Sequence, residues 1–324
     1  MSLPSRADTF MDNTKVSAYK DCPRKYFYRH VMHWRGEGVA APLLFGGAWH
    51  SAMDVVWKEL PNKPLEEVAL NAVDAFAVKW EAESGMSAQL DFDQQTALAP
   101  RTPMIAAEML SHYVYQRQKM ILSCELIAAE QPFAVPMPNI DHGWYVGRLD
   151  KAIRWQGETI VIEHKTTALY RKDGPFQYDW LEGWHMDAQV KGYEFGGMMY
   201  HPEKFGGIWV DGALVHKTIH DGFKFIPVKH GMDLVKEWLA DTQQWVERIN
   251  QDTISFQNDG HLVRGTFPKN ENHCFGKYGR CPYVDLCRTK ADVFAGEDVP
   301  FGYMVEAWEP FETLGLSKII HEGA

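Results

Sequence analysis

Residues 143–167, GWYVGRLDKAIRWQGETIVIEHKTT, contain the pattern that determines the fold expected for this chain. The segments GWYVGRLDKAIRW and TIVIEHKTT carry the alternation and the β-branched residues typical of strands, and Gln156-Gly157-Glu158 between them is a turn signal. The second segment opens with a continuous apolar run, which is typical of a central strand covered on both faces. The stretch therefore predicts two adjacent strands inside a sheet.

Two carboxylates and a lysine lie in this predicted hairpin. Asp150 precedes Glu163 by thirteen residues, so pairing of the strands would bring both side chains to one end of the sheet. Carboxylates this close repel each other unless a cation lies between them, and such oxygen ligands suit Mg²⁺ or Mn²⁺. Lys165 points to the same face as Glu163, where it could orient water and offset charge on a phosphate. The alternative is a surface hairpin whose acids pair with the lysine, although a charge that follows a buried run needs partners.

The remaining pattern predicts helices around a mixed sheet. Helices are expected at residues 13–34 with an interruption near Pro23, and at 47–60, 65–83, 103–128, 184–200 and 232–250. Residues 84–102 are expected to form a polar loop, strands are expected from residue 131 onward, and the tail from residue 291 has no clear pattern. The prediction is an α/β fold with a catalytic core at about 131–230 and a helical insertion at about 51–128.

Composition and charge restrict the functional classes. A chain of 324 residues with 45% hydrophobic and 23% charged residues is neither disordered nor fibrous. No run of eighteen apolar residues and no apolar N-terminal stretch is present, so a cytoplasmic protein is expected. The net charge of −10 argues mildly against a nucleic-acid partner, but residues 15–35 and 264–290 are two basic segments within the acidic chain. They would form a patch for anionic ligands if folding brought them together.

Four of the five cysteines form a second candidate site. Cys274, Cys281 and Cys287 follow one another as C-x6-C-x5-C, and Cys22 lies 252 residues before the first of them. Four thiolates can hold a 4Fe-4S cluster or a zinc ion, although structural zinc normally uses close C-x2-C pairs, which are absent here. Cysteines that are simply buried and reduced are the alternative. Cys124, beside Ile121 and Leu122 in the predicted helix at 103–128, is expected to be ordinary core.

Four motifs in order along the chain resemble those of the PD-(D/E)xK nucleases, specifically their RecB-like branch. Members carry a histidine in a helix after a glycine turn, a GxxD strand, a (D/E)xK strand and a QxxxY helix. The matching residues are Phe45-Gly46-Gly47-Ala48-Trp49-His50, Gly147-Arg148-Leu149-Asp150, Glu163-His164-Lys165 and Gln189-Val190-Lys191-Gly192-Tyr193. The resemblance implies a restriction-endonuclease-like fold.

The resemblance also implies roles for the motif residues. His50, Asp150 and Glu163 would bind the metal ion, together with the backbone carbonyl of His164, and Lys165 would be the catalytic lysine. Gln189 and Tyr193 lie one helical turn apart and would face the site and the DNA. Glu130 stands where relatives have an acidic residue, so it is a further candidate ligand. Glu163 is a departure, since many relatives have Asp there, but both residue types bind metal.

The cysteine set resembles the iron-sulfur staple of AddB-type nucleases and of CRISPR-associated exonucleases. The N-terminal stretch Ser17, Cys22, Pro23 and Tyr26 matches their S-x4-C-P-x2-Y pattern. Relatives usually have C-x2-C-x5-C at the other end, whereas the first gap here holds six residues. The resemblance implies one nuclease domain over residues 1–300, in which a 4Fe-4S cluster ties Cys22 to 274–287, followed by a tail at 301–324.

The function that follows is a Mg²⁺- or Mn²⁺-dependent deoxyribonuclease, an exonuclease acting in DNA recombination, repair or processing. Its substrate would be single-stranded DNA or duplex ends, with Arg24 and Lys25 of the first basic segment as DNA contacts and a helicase or recombination protein as partner. The aromatics near the N-terminus could stack on bases, but core packing is the preferred interpretation for Tyr19, Tyr26, Phe27, Tyr28 and Trp34. The alternatives are a non-catalytic DNA-binding or assembly subunit on the same fold, and a zinc-stabilised interaction protein.

Overall fold

The computed structural model describes residues 9–38, 40–172, 174–276 and 279–317. Their ten strands, β1 to β10, are Thr9–Met11, Trp34–Gly36, Glu125–Pro136, Gly143–Trp155, Glu158–Thr167, Phe205–Leu214, Phe223–Val228, Phe275–Gly276, Gly279–Arg280 and Tyr303–Val305. Their eleven α-helices, α1 to α11, are Asn13–Asp21, Pro23–Tyr26, Ala41–Glu59, Leu65–Ser84, Phe92–Leu98, Pro103–Leu122, Tyr178–Gly183, Ala188–Tyr200, Met232–Asp259, Val284–Thr289 and Pro310–Thr313. None of these helices is long and apolar enough to span a bilayer.

The chain divides into two units, and β3 and β4 each run through both of them. The first unit takes the described residues of Met1–Glu37, Pro132–Gly147 and Met232–Ala324, and the second takes those of Gly38–Gln131 and Arg148–Gly231. The predicted ranges, a single domain over 1–300 with an insertion at 51–128 and a core at 131–230, stay predictions.

The mixed sheet of the second unit confirms the predicted fold class. The end of β4 pairs antiparallel with β5 from Lys151 opposite Ile162 to Trp155 opposite Glu158. Strand β5 pairs parallel with β6, and β6 pairs antiparallel with β7. The predicted central run at 160–162 is at most 1% exposed, as a strand with neighbours on both sides and covered faces requires. Asp150 lies one position beyond the pair of Lys151 and Ile162, so the register sets it beside Glu163.

Helices α3, α4 and α6 cover one face of this sheet. Their apolar faces include Trp49, Trp57, Phe76 and Trp80, all at most 1% exposed, and they share a core with sheet residues such as Ile160. Burial of each such side chain stabilises the fold by roughly 1.5–3 kcal/mol. The helices therefore hold α3, and with it His50, in a fixed position against the strands.

The first unit contains the N-terminal helices and the C-terminal segments. Helix α1 ends before Pro23, because proline lacks an N–H and is tolerated only in the first turn of the next helix, α2. A short π-helical turn, Phe27–Val31, follows, and the break predicted at Pro23 is thus present. The aromatics assigned to the core are buried as predicted, and Tyr19 OH donates to Asp252 Oδ2 of α9 at 2.8 Å. Strand β1 pairs parallel with the start of β4, and β2 pairs antiparallel with β10.

Several predicted boundaries are wrong. The helix expected at 103–128 ends at Leu122, and β3 begins at Glu125 rather than at 131, because its pairing with β4 outweighs the helical propensity of ELIAAE. Cys124 therefore lies in the turn between them, half-buried against the core, and not on a helix face. The expected loop at 84–102 contains α5, which starts with a capping box between Asp91 and Gln94. The tail from residue 291 contains β10 and α11.

Candidate metal centre and cysteine cluster

Three ligand atoms of carboxylate and imidazole type converge beside β4 in the second unit. Atoms of His50 on α3, Glu130 on β3 and Asp150 on β4 lie within 4.8 Å of one another. His50 Nδ1 is 3.2 Å from Asp150 Oδ2. Among the residues that the structure describes, this is the only such group of three or more His, Cys, Asp or Glu side chains. Glu130, the further candidate ligand, thus lies beside the predicted ligands His50 and Asp150.

Glu163 and Lys165 form the adjoining part of the site. Their side chains leave the same face of β5, as predicted, and Lys165 Nζ is 2.5 Å from Glu163 Oε1. The second oxygen, Glu163 Oε2, is buried and has no hydrogen-bond partner among the described residues. A buried carboxylate oxygen without a donor is costly unless a cation accompanies it, so this atom is the strongest local indication of a metal ligand.

The start of α8 brings an amide and a phenol to the same place. Asp187 caps the helix by accepting from the backbone N–H groups of Gln189 and Val190, which sets Gln189 in the first turn. Gln189 Oε1 accepts from Lys165 Nζ at 3.1 Å, and its Nε2 lies within donating distance of Glu163 Oε1 at 3.2 Å and of Tyr193 OH at 2.9 Å. The predicted pair on α8 therefore does face the acids and the lysine.

The charges of these groups explain why the site suits a cation. Burial and the nearby Asp150 carboxylate raise the pKa of Glu163 above its ordinary value. Burial also acts on Asp150, but the adjacent His50 holds the pKa of Asp150 below its ordinary value. Burial, followed by the charge of Asp150, raises the pKa of Glu130. Three carboxyl groups compete here for negative charge, and a bound cation would allow all of them to ionise.

A buried network beneath His164 supports the site and was missed by sequence reasoning. The His164 backbone N–H donates to Asp150 Oδ2 at 2.8 Å. The His164 ring Nδ1 lies 3.3 Å from Asp211 Oδ2 on β6, which is an ion-pair distance but not a hydrogen bond. Tyr113 OH donates to the same Asp211 oxygen at 2.5 Å, and Arg117 Nη2 lies 2.8 Å from Oδ1. The signal in the sequence is an acid in the middle of an apolar strand, since a buried charge requires partners.

The four predicted cysteines meet within the first unit. Cys22, Cys274, Cys281 and Cys287 line one small cavity, and all four are free thiols. Cys22 Sγ accepts from the backbone N–H of Asn270 at 3.3 Å. In the described chain no three of these sulfurs lie within 4.8 Å of one another.

The two basic segments contact each other beside that cavity. The backbone N–H of Arg24 donates to Pro268 O at 3.3 Å, and Arg24 Nε donates to Phe267 O at 3.0 Å. Arg24 is buried, whereas Lys25 is half-buried, lines the cysteine cavity and pairs with Asp21 at 3.2 Å. The role of Arg24 and Lys25 as DNA contacts stays a prediction.

Comparisons with known proteins agree with the fold and identify the family. The family model described as the PD-(D/E)XK nuclease superfamily matches residues 13–288. No curated protein matches. A crystal structure from Eubacterium rectale, provisionally named as that of an exonuclease, is similar with a TM-score of 0.50 and 15% identity, covering 92% of this chain and 96% of that one. That likeness concerns the fold alone, whereas the family model extends over most of the chain, and the protein belongs to the PD-(D/E)XK nuclease superfamily.

Proposed function

We propose that this protein is a Mg²⁺- or Mn²⁺-dependent DNA nuclease of the RecB-like branch that degrades DNA from an end. The observation that carries this proposal is the buried, unpaired Oε2 of Glu163 next to Lys165, beside the group of His50, Glu130 and Asp150. Oxygen and imidazole ligands without thiolates suit Mg²⁺ or Mn²⁺. We assign His50, Asp150, Glu163 and the His164 carbonyl as ligands, with Glu130 as an additional one.

The bound ion would supply Lewis-acid polarisation of the scissile phosphate and a lower pKa for the attacking water. Lys165 donates hydrogen bonds and positive charge to the phosphate oxygens, which carry growing negative charge as the bond breaks. Gln189 holds the Lys165 ammonium and the Glu163 carboxylate at a fixed separation, because it contacts both. Contacts of this kind read the DNA backbone and not the bases, so we expect low sequence specificity.

The test is cleavage of end-labelled single-stranded and duplex DNA with Mg²⁺ or Mn²⁺. We expect metal-dependent cleavage by the wild type, and its loss in Lys165→Ala. Lys79→Ala is the matched control, since Lys79 is a half-buried lysine that pairs with Glu83 on α4 and has no part in the proposed site, and it should cleave like the wild type. The order in which products appear from each label gives the polarity. Folded wild-type protein that binds DNA without cutting it would replace this proposal with the assembly-subunit alternative.

We further propose that Cys22, Cys274, Cys281 and Cys287 hold a 4Fe-4S cluster. Four thiols line one cavity and can hold a thiolate-bound cluster, and the resemblance to the iron-sulfur staple of AddB-type nucleases favours such a cluster over zinc. Lys25, Lys269 and His273 also line the cavity and would offset the negative charge of such a cluster. When bound, the cluster would cross-link the start of α2 to the segment that ends at α10.

Iron content separates the cluster from its alternatives. Anaerobically purified protein should contain about four iron and four sulfide per chain, with the visible absorption of thiolate-bound iron. Cys281→Ala should lose the iron, whereas Cys124→Ala, at a thiol outside the cavity, should retain it. One equivalent of zinc, or no metal in anaerobically purified protein, would contradict the cluster while leaving the nuclease proposal intact.

We place this activity in DNA recombination, repair or processing, alongside a helicase or recombination partner. The resemblance to the AddB-type nucleases supports this context, and a helicase would supply single strands to a nuclease that degrades DNA from an end. Co-purification with a helicase that stimulates cleavage of duplex ends is the expected outcome. Equal rates on duplex and single-stranded DNA without any partner would argue against this placement.

A further inference from the structure

Two loops leave the sheet at the edge next to Lys165. Strands β5 and β6 are parallel, so their carboxyl ends lie at the same edge, and Val215 N–H donates to Thr167 O at 2.7 Å where both strands end. The loops begin there, with described residues 168–172 and 174–177 in the first and 215–222 in the second, and Tyr170 follows Lys165 by only five residues. Ligands of open α/β sheets bind at such strand ends.

The two loops line an open surface groove within the second unit. Its lining combines the aromatic Tyr170, the apolar Pro175 and Ile219, the basic Arg171 and Lys172, and the acidic Asp221. An open groove of this kind would leave a bound group partly exposed to solvent. The mechanism proposed above makes no use of any of these residues.

Tyr170 is held in place while part of its side chain remains open to solvent. Its ring centroid lies 4.7 Å from that of His216, and its carbonyl accepts from Gln177 Nε2 at 3.4 Å. The His216 ring in turn accepts from the backbone N–H of Thr218 at 3.2 Å, which fixes the imidazole. Even so, Tyr170 is 37% exposed, and Lys172 is also exposed. A tyrosine that only filled the core would be covered, as Tyr113 is at 1%.

We propose that this groove is a subsite for one unpaired nucleobase of the strand that is cut. The base would stack on Tyr170 between Pro175 and Ile219, and Lys172 would contact an adjacent phosphate. Asp221 can accept a hydrogen bond from an exocyclic amino group but would repel a phosphate, which favours a base in the groove and the phosphate at its basic rim. This inference rests on the proposed nuclease function, because it takes the strand at Lys165 as its substrate. The inference adds that the base next to the scissile bond is unpaired in the substrate.

Binding in a cleavage-deficient background tests the subsite separately from catalysis. The Lys165→Ala protein is titrated with a labelled twelve-nucleotide single strand and with an abasic strand that has the same number of phosphates. Adding Tyr170→Ala should weaken binding of the normal strand roughly 5- to 100-fold, as loss of one base stack does. The same change should leave binding of the abasic strand unaltered. Tyr170→Phe should retain the affinity, and Tyr115→Ala, at an exposed tyrosine on α6, should have no effect.

Salt dependence tests the basic rim. Lys172→Ala should make the slope of log affinity against log salt shallower by about 0.7, the value for one phosphate contact on a single strand. Equal losses on normal and abasic strands in Tyr170→Ala, or no loss on either, would overturn the subsite. If the wild type fails to cut DNA but the coupling between Tyr170 and the bases is present, the nuclease proposal fails and the groove is a base-binding site of a protein that does not cut DNA.

Discussion

The carboxylate site and the cysteine site of this protein are built in opposite ways. Asp150 and Glu163 are thirteen residues apart on strands joined by a tight turn, and the register of the ladder sets them side by side. Cys22 and Cys274 are 252 residues apart, and in the described part of the cysteine segment, 274–276 and 279–287, the regular structure consists of the two-residue strands β8 and β9 and the start of α10. One site follows from local sheet geometry, whereas the other depends on a long chain closure.

This difference determines what each site needs in order to persist. Backbone hydrogen bonds, the cap of α8 and the Asp211 network hold the carboxylate site by protein contacts alone. Around the cysteines, hydrogen bonds at Arg24 and Asn270 join the N-terminal and C-terminal segments, and they must offset the entropy cost of closing a long loop. We therefore expect the cysteine site to depend on its bound group and the carboxylate site to be formed before metal binds.

The largest effect is expected from breaking the cysteine site. Cys22→Ser should lower the Tm of anaerobically purified protein by on the order of 10 °C, because loss of a bound metal group is among the most destabilising single changes. Cys124→Ser, which changes a half-buried thiol outside the cavity, should cost much less. Adding EDTA to remove divalent metal should lower the Tm by less than Cys22→Ser does, because protein contacts also hold the carboxylate site. Equal Tm values for both cysteine variants would show that the cysteine site does not depend on a bound group more than the carboxylate site does.

Removing the charge of Asp211 should have the next largest effect. Asp211→Asn leaves the Arg117 guanidinium buried without its counter-ion, and breaking such a pair costs about 3–5 kcal/mol of unfolding free energy. Urea unfolding measures this loss, and cleavage should fall with it, because Asp211 lies beneath His164 and the backbone of the site. Glu125→Gln, which removes an exposed partner of Arg154, is the control and should be silent.

A combined variant decides whether the stability lost in Asp211→Asn comes from an unpaired charge or from altered packing. Arg117→Met together with Asp211→Asn removes both charges and should recover part of the stability lost in the single variant. If the double variant loses more unfolding free energy than the two single variants together, the network stabilises the fold through packing. The carboxylate site is then not fully formed before metal binds.

The sequence was most informative where a pattern repeats over adjacent residues. The strand pair at 143–167, the break at Pro23, and the placement of Lys165 beside Glu163 follow from local alternation and side-chain direction. The residues that meet at the carboxylate site could be proposed because each belongs to a short motif with its own element. Even the distant Cys22 could be assigned, but only from a resemblance, since spacing says nothing about which distant thiols meet.

What could not be predicted depends on contacts between distant residues. ELIAAE at 125–130 favours a helix by composition, and only its pairing with β4 makes it a strand. Asp211 lies inside an apolar strand, and its partners Tyr113 and Arg117 are 98 and 94 residues away. Glu130 has φ +51°, so the strand geometry that would place its side chain is broken at that residue. The secondary-structure propensities of the residues describe none of these contacts.

A smaller effect, on catalysis alone, should follow from Gln189→Ala. Gln189 contacts Lys165 and Glu163 but is not assigned as a ligand, so its loss should reduce cleavage about 10- to 100-fold, as changes behind a metal site do. The Tm should be unaffected, because Gln189 lies in the first turn of α8 and is only half-buried. Gln189→Glu serves as a second variant, since it keeps the acceptor for Lys165 and places a carboxylate against Glu163. Wild-type cleavage by both variants would show that Lys165 needs no orientation from α8.

The smallest effect is expected at Glu130, and it sharpens the description of the carboxylate site. Glu130 lies within 4.8 Å of His50 and Asp150 but also pairs with Arg148, at 2.7 Å, so we expect it to bind the proposed metal ion more weakly than Asp150 does. Glu130→Gln should raise the Mg²⁺ concentration needed for half-maximal cleavage by about tenfold, while the rate at saturating Mg²⁺ stays close to that of the wild type. Arg148→Ala should do the reverse and lower that concentration, because the carboxylate is released to the cation. An unchanged Mg²⁺ requirement in both variants would assign Glu130 to the ion pair with Arg148 alone and leave His50, Asp150 and Glu163 as the side-chain ligands.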